Sequence, residues 1–229
     1  MLSVVIAGGT GGLGGAVTAR LLAEGYRCVV PYRDEGAAQA LRAQLGDDGQ
    51  RLILLRADLS DPPQAAEAVA QADDATAPLH AAINLIGGFA APGRVHEAPI
   101  ESFEAQLRLN LRPTYLLCSA ALARMRKRRE GVIVCVSSRA ARRPFAGAAG
   151  YITAKAALLA FVEALVSEYE REGIRVNALL PGVIDTPANR AADPHADRSG
   201  WSTPEQIAAV IAFLCSDQAS CVSGAQLPV

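Results

Sequence analysis

The chain has 229 residues, of which 51% are apolar and 20% are charged, and its formal net charge is −1. This length is enough for one α/β domain with a sizeable core, and the balanced charge provides no broad basic surface for a nucleic acid. We expect no apolar run of membrane-spanning length and no charged leader before the first apolar strand. The composition therefore predicts a cytoplasmic protein that binds neither nucleic acid nor membrane.

The cysteines and histidines give little sign of special chemistry. The cysteines lack C-x-x-C spacing and mostly lie in apolar segments, so we expect reduced, mainly buried thiols. They are Cys28, Cys118, Cys135, Cys215 and Cys221. The three histidines are scattered along the chain, so we expect no metal site.

The first predicted unit is a strand, a glycine-rich turn and a helix. The strand is Leu2–Ala7, the turn is G-G-T-G-G-L-G-G at 8–15, and the helix runs from about Leu13 to Glu24. Glycines at this place let a diphosphate approach the backbone N–H groups of a helix N-terminus. The unit therefore predicts a dinucleotide site.

The register of these glycines is open. Gly9, Gly11 and Gly14 fit G-x-G-x-x-G, whereas Gly8, Gly11 and Gly14 fit G-x-x-G-x-x-G. The set Gly8, Gly12 and Gly14 fits G-x-x-x-G-x-G. The turn alone does not choose among these spacings.

The rest of the chain alternates apolar strands with helical segments and shows no repeat or linker. The alternation predicts one domain with a Rossmann-type, doubly wound parallel sheet of about seven strands and helices on both faces. The predicted strands are Leu2–Ala7, Arg27–Tyr32, Leu52–Arg56, Leu79–Ile86, a run from Val132, Ile174–Leu180 and Val222–Val229. Between the fourth and fifth strands, Glu97–Arg129 reads as two helical pieces, and Pro113 is expected to bend the helix.

Three side chains near the fifth strand suggest proton transfer. The strand from Val132 delivers Ser137 and Ser138 to its carboxyl end, and a helix from about Gly150 to Glu172 carries Tyr151 and Lys155. A spacing of four places Tyr151 and Lys155 on one helical face, where an ammonium is expected to lower the pKa of the phenol. Lys155 is one of only two lysines among 22 basic residues, which suggests a need for a compact ammonium.

Ser138 with Tyr151-x-x-x-Lys155, the glycine-rich turn and P-G-V-I-D-T at 181–186 resemble the short-chain dehydrogenase/reductase family over essentially the whole chain. The resemblance implies an NAD(P)-dependent oxidoreductase that moves a hydride between nicotinamide and a carbonyl or alcohol. Tyr151 would be the general acid/base, and Lys155 would lower its pKa and hold the nicotinamide ribose. Ser138 would orient the substrate oxygen, and Asn110 would hold a water in a proton relay.

The resemblance also implies a set of cofactor contacts. Of the glycine spacings, only Gly8-x-x-x-Gly12-x-Gly14 is that of the family. Asp58 would meet the adenine, with helix capping as its alternative, and Asn84 would support the sheet beside the cofactor. The full set is Gly8, Thr10, Gly11, Gly12, Leu13, Gly14, Tyr32, Arg33, Asp58, Leu59, Asn84, Gly87, Tyr151, Lys155, Pro181, Gly182, Val183 and Thr186, the last on the nicotinamide carboxamide.

The residues at the end of the second predicted strand indicate whether the chain would prefer NADP or NAD as its cofactor. By analogy with the family, Tyr32 occupies the position where an NAD site usually has an acid, and Arg33 lies next to it. An arginine there suits the 2′-phosphate of NADP, so NADP is the preferred prediction and NAD stays possible. Asp34 could face the ribose, although we favour it as the N-cap of a helix over 35–45.

The segment 185–202 is a predicted substrate lid, because it is long, polar and rich in proline. Its sequence resembles the dihydropteridine reductase branch of the family, which implies a pterin-type C=N reductase as an alternative. Trp201 would either close over a flat substrate or anchor the base of the lid. A second alternative is a non-catalytic dinucleotide sensor on the same fold. The family also implies a homodimer or homotetramer built on the helices that carry Asn110 and Tyr151.

Overall fold

The computed structural model describes residues 1–46 and 51–229. Its strands form one parallel sheet in the order β3-β2-β1-β4-β5-β6-β7. The strands are β1 (Ser3–Ala7), β2 (Arg27–Tyr32), β3 (Leu52–Arg56), β4 (Leu79–Asn84), β5 (Gly131–Val136), β6 (Ile174–Leu180) and β7 (Gln226–Pro228). The helices are α1 (Gly14–Ala23), α2 (Glu35–Leu45), α3 (Pro62–Gln71), α4 (Ile100–Asn110), α5 (Arg112–Arg128), α6 (Ala149–Tyr169), α7 (Pro187–Ala192) and α8 (Pro204–Cys215).

The strands are mainly apolar on both of their sides because helices cover both faces of the sheet. Side chains alternate between the faces, so Val5 and Ala7 of β1 pack into one core, whereas Val4 and Ile6 pack into the other. The first core is completed by α3, α5 and α6, and the second by α1, α2 and α8. The predicted seven-stranded parallel sheet with helices on both faces is confirmed.

The chain order reverses between β1 and β4. β1 pairs with β2 on one side and with β4 on the other, so the crossovers on its two sides run in opposite directions. In such sheets the loops at the carboxyl ends of the strands separate at this point and leave a crevice. The loops after β1, β4, β5 and β6 all lie at this edge.

Several helix starts follow the local sequence. Asp34 caps α2 by accepting a hydrogen bond from the Ala37 N–H at 2.7 Å, which confirms the capping prediction. Thr203 and Gln206 form a reciprocal capping box at the start of α8, with Pro204 in the first turn. Asp61, rather than Asp58, caps α3.

The largest differences from the predicted strand boundaries are in the fourth and seventh strands. The fourth strand ends at Asn84, two residues early, and β7 has only three residues, Gln226–Pro228. The predicted two helical pieces are α4 and α5, which divide at Leu111. Pro113 lies in the first turn of α5, where its missing N–H costs nothing, so the helix is interrupted two residues before the proline.

The segment Ala149–Glu172 is long and apolar enough, by length and composition, to cross a membrane. The expectation that no run reaches this length is therefore wrong. In this fold Leu158, Val162 and Leu165 of α6 are buried in the core against the sheet. Packing of this kind accounts for the apolar character of the helix.

Candidate active site

The strand β5 and the helix α6 are joined by two hydrogen bonds at the carboxyl edge of the sheet. The Ser137 hydroxyl donates to the backbone carbonyl of Lys155 at 2.8 Å, and the Lys155 ammonium donates to the backbone carbonyl of Val136 at 3.0 Å. Both residues are buried. The two bonds fix the register of α6 against β5, and with it the position of Tyr151 one turn earlier.

Tyr151 lies beside Ser138, as the motif predicts. Burial raises the pKa of Tyr151, and a side-chain hydrogen bond with Ser138 opposes that rise. Burial of the phenol outweighs this bond, so the pKa of Tyr151 lies above its ordinary value, opposite to the predicted direction. Ser138 also accepts a hydrogen bond from the Ala140 N–H at 3.1 Å, and this bond orients its hydroxyl.

Lys155 is almost completely enclosed, with 4% of its surface exposed. Burial lowers its pKa to about 8, because a charged ammonium is disfavoured away from water. A Cβ added at Gly87 would lie 2.8 Å from the Lys155 nitrogen and 3.1 Å from Asn110 Oδ1. A side chain at position 87 would therefore displace the Lys155 ammonium.

Asn110 is the last residue of α4 and is completely buried. Its Oδ1 accepts from the Gly88 N–H at 3.1 Å, and its Nδ2 donates to the Gly88 carbonyl at 3.1 Å and to the Gln106 carbonyl at 3.0 Å. Its backbone carbonyl accepts from Thr114 Oγ1 at 3.0 Å. Asn110 therefore fixes the loop after β4 beside Lys155.

A cavity of about 630 Å³ opens in front of these groups. Among the predicted residues it is lined by Leu13, Gly87, Ser138, Tyr151, Lys155, Pro181, Gly182 and Val183. The Phe89 ring meets the Tyr151 ring edge-on, with centroids 5.2 Å apart, and Phe145 lies 6.2 Å from Phe89. The cavity thus combines a phenol, an ammonium and a hydroxyl with an aromatic wall.

A second cavity, of about 240 Å³, continues from the first and shares Leu85 and Gly87 with it. The predicted cofactor residues along its wall are Gly8, Thr10, Gly11, Tyr32, Arg33, Asp58, Leu59 and Gly87. The two cavities form one crevice over the carboxyl ends of the strands. A dinucleotide site in a sheet of this kind occupies such a crevice.

The glycine turn between the cavities fits a diphosphate. Gly8 has a φ of +80°, which favours glycine, and a Cβ on Gly14 would lie 2.2 Å from the Gly8 carbonyl oxygen. No side chain among the described residues caps the N-terminus of α1, and its first turn holds no acid. The N–H groups of that turn are therefore suited to an anion.

The space around each glycine also bears on which of the three glycine spacings the turn follows. A Cβ on Gly12 would lie 2.9 Å from Thr186 Cγ2, whereas one on Gly11 would meet only the Gly8 carbonyl, at 3.3 Å. A Cβ on Gly9 would lie 2.7 Å from Val30 Cγ1, so Gly8, Gly9, Gly12 and Gly14 all have less room than Gly11, and the space around each Cβ does not choose the register alone. The spacing Gly8-x-x-x-Gly12-x-Gly14 is the one that the family resemblance selects.

Other predicted residues support the crevice from behind. Asn84 donates from Nδ2 to Thr114 Oγ1 at 2.8 Å, so it joins β4 to α5. Thr186 is buried, and its hydroxyl caps α7 by accepting from the Asn189 N–H at 3.2 Å. Asp58 accepts from the Ser60 N–H at 2.8 Å within its own loop, which corrects the alternative that it caps a helix.

The predicted lid is partly ordered into α7 and is closed at its base by a bridge between Ile184 and Ser202. Trp201, at the end of the lid, lines the large cavity, and the Arg198 guanidinium lies 5.9 Å from the centroid of its ring. The bridge brings both ends of the lid to the cavity mouth. The lid is therefore a wall of the crevice.

Several cavity residues escaped the sequence interpretation. They are Leu85, Phe89, Val136, Arg139, Ala140, Arg143, Phe145 and Ile184, whereas Asn189, Ala192 and Asp193 belong to the predicted lid. Phe89 and Phe145 carried a usable signal, because they are aromatic side chains in glycine-rich loops next to predicted strand ends. The described residues contain no group of three or more metal-ligating side chains placed to hold an ion.

A family model for short chain dehydrogenases matches residues 3–197. Cis-4-hydroxycyclohexanecarboxylate dehydrogenase of Sinomonas cyclohexanicum is 35% identical over 98% of this chain and 93% of its own length. The 2-(S)-hydroxypropyl-CoM dehydrogenase 3 of Xanthobacter autotrophicus is 31% identical over 99% of this chain and 94% of its own.

A solved structure of the same family has the same fold. An oxidoreductase of the short-chain dehydrogenase/reductase family from Burkholderia thailandensis superimposes with a TM-score of 0.89 at 32% identity, covering 100% of this chain and 90% of the other. Sequence, fold and the crevice at the strand ends agree. The chain belongs to the short-chain dehydrogenase/reductase family of NAD(P)-dependent oxidoreductases.

Proposed function

We propose that this enzyme reduces a carbonyl compound to an alcohol with Tyr151 as the general acid, and oxidises the alcohol in the reverse direction. The observation that carries the proposal is the meeting of Tyr151, Ser138 and Lys155 on one cavity that continues into the crevice of the glycine turn. A bound nicotinamide supplies or takes the hydride there.

The protein residues handle the proton and the oxygen. A phenol whose pKa is raised by burial is protonated at neutral pH, which is the form needed to donate to a developing alkoxide. The Ser138 hydroxyl, already hydrogen-bonded to Tyr151, holds the substrate oxygen beside the phenol. Lys155 lines the same wall, where its ammonium stabilises negative charge on the phenolate oxygen after transfer.

The substitution Tyr151→Phe tests this role. It removes the proton donor and keeps the ring that packs on Phe89, so we expect turnover to fall at least about a thousandfold. Binding of NADPH, measured by fluorescence titration, should stay within about twofold of wild type. Wild-type turnover in this variant would remove Tyr151 from the mechanism.

The preferred cofactor in this proposal is NADP. Support comes from Arg33, which is exposed on the wall of the smaller cavity and makes no hydrogen bond or ion pair with the described residues. Asp34, the acid that could have faced a ribose of NAD, is used as a helix cap. The Tyr32 hydroxyl donates to Glu35 at 2.8 Å and leaves the guanidinium as the group available for a 2′-phosphate.

A pterin-type C=N reductase is the narrower alternative, because Trp201, Phe89 and Phe145 give the large cavity walls suited to a flat ring. Assays with quinonoid dihydropterin beside simple ketones separate the two, since a pterin reductase would prefer the pterin clearly. The dinucleotide-sensor alternative predicts nucleotide binding with no turnover on any carbonyl. The family relationship to dehydrogenases and reductases favours the enzyme.

The proposal includes a homodimer or homotetramer in the cytoplasm. An apolar face on α4, α5 and α6 supports it, because Tyr115 is 56% exposed and its ring packs at a tilt on Phe161, with centroids 5.7 Å apart, beside a groove of about 600 Å³. Light scattering on the purified protein tests the assembly. Tyr115→Arg should shift it towards monomer.

A further inference from the structure

Three arginines follow Ser138, and each has a different environment. Arg139 donates to the backbone carbonyl of Val229 at 3.0 Å, and Arg142 hydrogen-bonds Gln226 and lies 3.9 Å from Glu163. The Arg143 side chain lines the large cavity and makes no hydrogen bond or ion pair with any residue in the described ranges. Arg143 is therefore a cation at the cavity wall whose donors are free.

The rest of the same wall is apolar and open. Phe89, Phe145 and Val183 are 61%, 49% and 47% exposed, although such large apolar side chains are normally covered. Phe89 reaches from this wall to the edge of the Tyr151 ring. The same cavity therefore holds the proton donor, an open apolar wall and the guanidinium.

We infer that the substrate is a ring-bearing ketone or alcohol with a carboxylate remote from the reacting carbon, and that Arg143 binds this carboxylate. The inference rests on the proposed carbonyl reduction at Tyr151 and names the substrate class for it. A guanidinium offers two parallel N–H donors that match a carboxylate, which a single polar group does not. Phe89, Phe145 and Trp201 contact the ring.

The other charged groups on this cavity could bind the carboxylate in place of Arg143 or pair with Arg143 itself. Lys155 is 4% exposed and donates to the Val136 carbonyl beside Tyr151, and Arg139 donates to the Val229 carbonyl. Asp193, at the end of α7, is the acid on the wall, and its side chain has no partner among the described residues. Arg143 could instead form an ion pair with Asp193 that acts as a latch on the cavity. Such a latch would affect all substrates equally, whereas a carboxylate site would affect only the acids.

The experiment measures kcat and KM for matched substrates with NADPH. The ring acids are 3- and 4-acetylbenzoate, the neutral matches are acetophenone and the two methyl esters, and 4-oxopentanoate is an acid without a ring. Wild type should favour the better ring acid over its ester by about ten- to a hundredfold in kcat/KM, since a hydrogen bond to a charged group is worth that much. The preference should be carried by KM, because the contact is remote from the reacting carbon.

Arg143→Gln should reduce this preference to within about threefold while leaving acetophenone turnover unchanged, and Arg143→Lys should restore part of it. Arg142→Gln is the matched control, because Arg142 is adjacent in sequence and has its own partners. It should keep the wild-type preference. Added salt should weaken the preference in wild type and leave it unchanged in Arg143→Gln.

Several results would overturn the inference. Equal kcat/KM for ring acids and esters in wild type, or no turnover of the ring acids, would exclude the carboxylate site, and acetophenone reduction would still uphold the proposed function. Equal losses for acids and neutral ketones in both Arg143→Gln and Asp193→Asn would indicate the latch instead. If 4-oxopentanoate matched the ring acids, the ring requirement would be wrong.

Discussion

The side chain of Asn110 forms a reciprocal pair of hydrogen bonds with the backbone of Gly88. The amide accepts from the Gly88 N–H and donates to the Gly88 carbonyl, both at 3.1 Å, much as a neighbouring strand would. The loop after β4 has no strand partner at this point, so the end of α4 supplies the missing donor and acceptor. This pairing holds Gly87 against the Lys155 ammonium.

Asn110→Ala should therefore affect both stability and turnover. It leaves the two Gly88 backbone groups without their partner and should lower the free energy of unfolding by about 1–3 kcal/mol. The loop beside Lys155 should then shift, so kcat should fall at least about tenfold even at a temperature where the variant is fully folded. Urea unfolding and steady-state kinetics measure the two effects.

The smaller change Gln106→Met serves as the control for this prediction. It removes only the side-chain contact at 3.2 Å between Gln106 Oε1 and Asn110 Nδ2. It should cost less stability than Asn110→Ala and leave kcat close to wild type. A stable Asn110→Ala variant with full kcat would show that the Gly88 pairing is irrelevant to the reaction.

Lys155 should make the stability of the protein depend on pH in an unusual direction. Its pKa is lowered from 10.5 to about 8 because the charged form is buried. At pH 7 both the folded and the unfolded chain carry the proton, and the burial cost applies in full. Between pH 8 and 10.5 Lys155 loses its proton in the folded chain and keeps it in the unfolded chain. The cost of burying the charge is then relieved, so the stability of the folded protein rises with pH.

Lys155→Met should consequently be more stable than wild type at pH 7 while having no useful turnover. Removing the buried charge should raise the free energy of unfolding by about 3 kcal/mol, and losing the hydrogen bond to Val136 should lower it by about 1 kcal/mol. The gain in stability of the variant over wild type should shrink towards pH 10. Urea unfolding at pH 7 and pH 10 without cofactor measures it. Lys127→Met, on the exposed end of α5, should show no such pH-dependent gap. An advantage that does not change with pH would contradict the argument.

The sequence predicted those features that depend on local pattern. The strands are runs of apolar residues that any parallel sheet requires, and Asp34, Thr203 and Pro204 are helix-start residues with one physical use. The spacing of four between Tyr151 and Lys155 fixes their common face wherever the helix lies. These features need no knowledge of distant contacts.

The features that were missed depend on contacts distant in sequence. The pairing of Asn110 with Gly88 spans 22 residues, and the wall of Phe89 and Phe145 exists only because two loops meet over Tyr151. Burial of the Tyr151 phenol, which reverses the expected direction of its pKa shift, is likewise a property of the packed site. Thr186 is an exception, because Thr before Pro is a recognisable helix cap and was interpreted only as a cofactor contact.

The glycine turn predicts different effects for alanine at Gly14, where a Cβ would clash with the backbone, and at Gly11, where it would have room. Gly14→Ala places a Cβ 2.2 Å from the Gly8 carbonyl oxygen, so the turn must move. Binding of NADPH should weaken more than tenfold, and the melting temperature should fall by several degrees, since about 2 kcal/mol of strain is expected. Fluorescence titration and thermal unfolding give both values.

Gly11→Ala is the matched comparison in the same turn. Its Cβ would meet only the Gly8 carbonyl at 3.3 Å, and Gly11 is exposed. NADPH affinity should stay within about threefold of wild type, since a contact that is tight by tenths of an ångström relaxes at small cost. A larger loss for Gly11→Ala than for Gly14→Ala would contradict the argument from the space around each Cβ.

Arg33→Gln should remove a preference for NADPH without harming the reaction itself. The guanidinium is exposed beside the smaller cavity, and the loss of a charge-assisted contact to a phosphate should lower kcat/KM for NADPH about ten- to a hundredfold. The value for NADH, which has no 2′-phosphate, should stay within about twofold. Arg42→Gln, on the exposed side of α2, is the control and should leave both values unchanged. Equal losses with both cofactors would assign Arg33 a structural role, and a wild-type preference for NADH would overturn the NADP proposal.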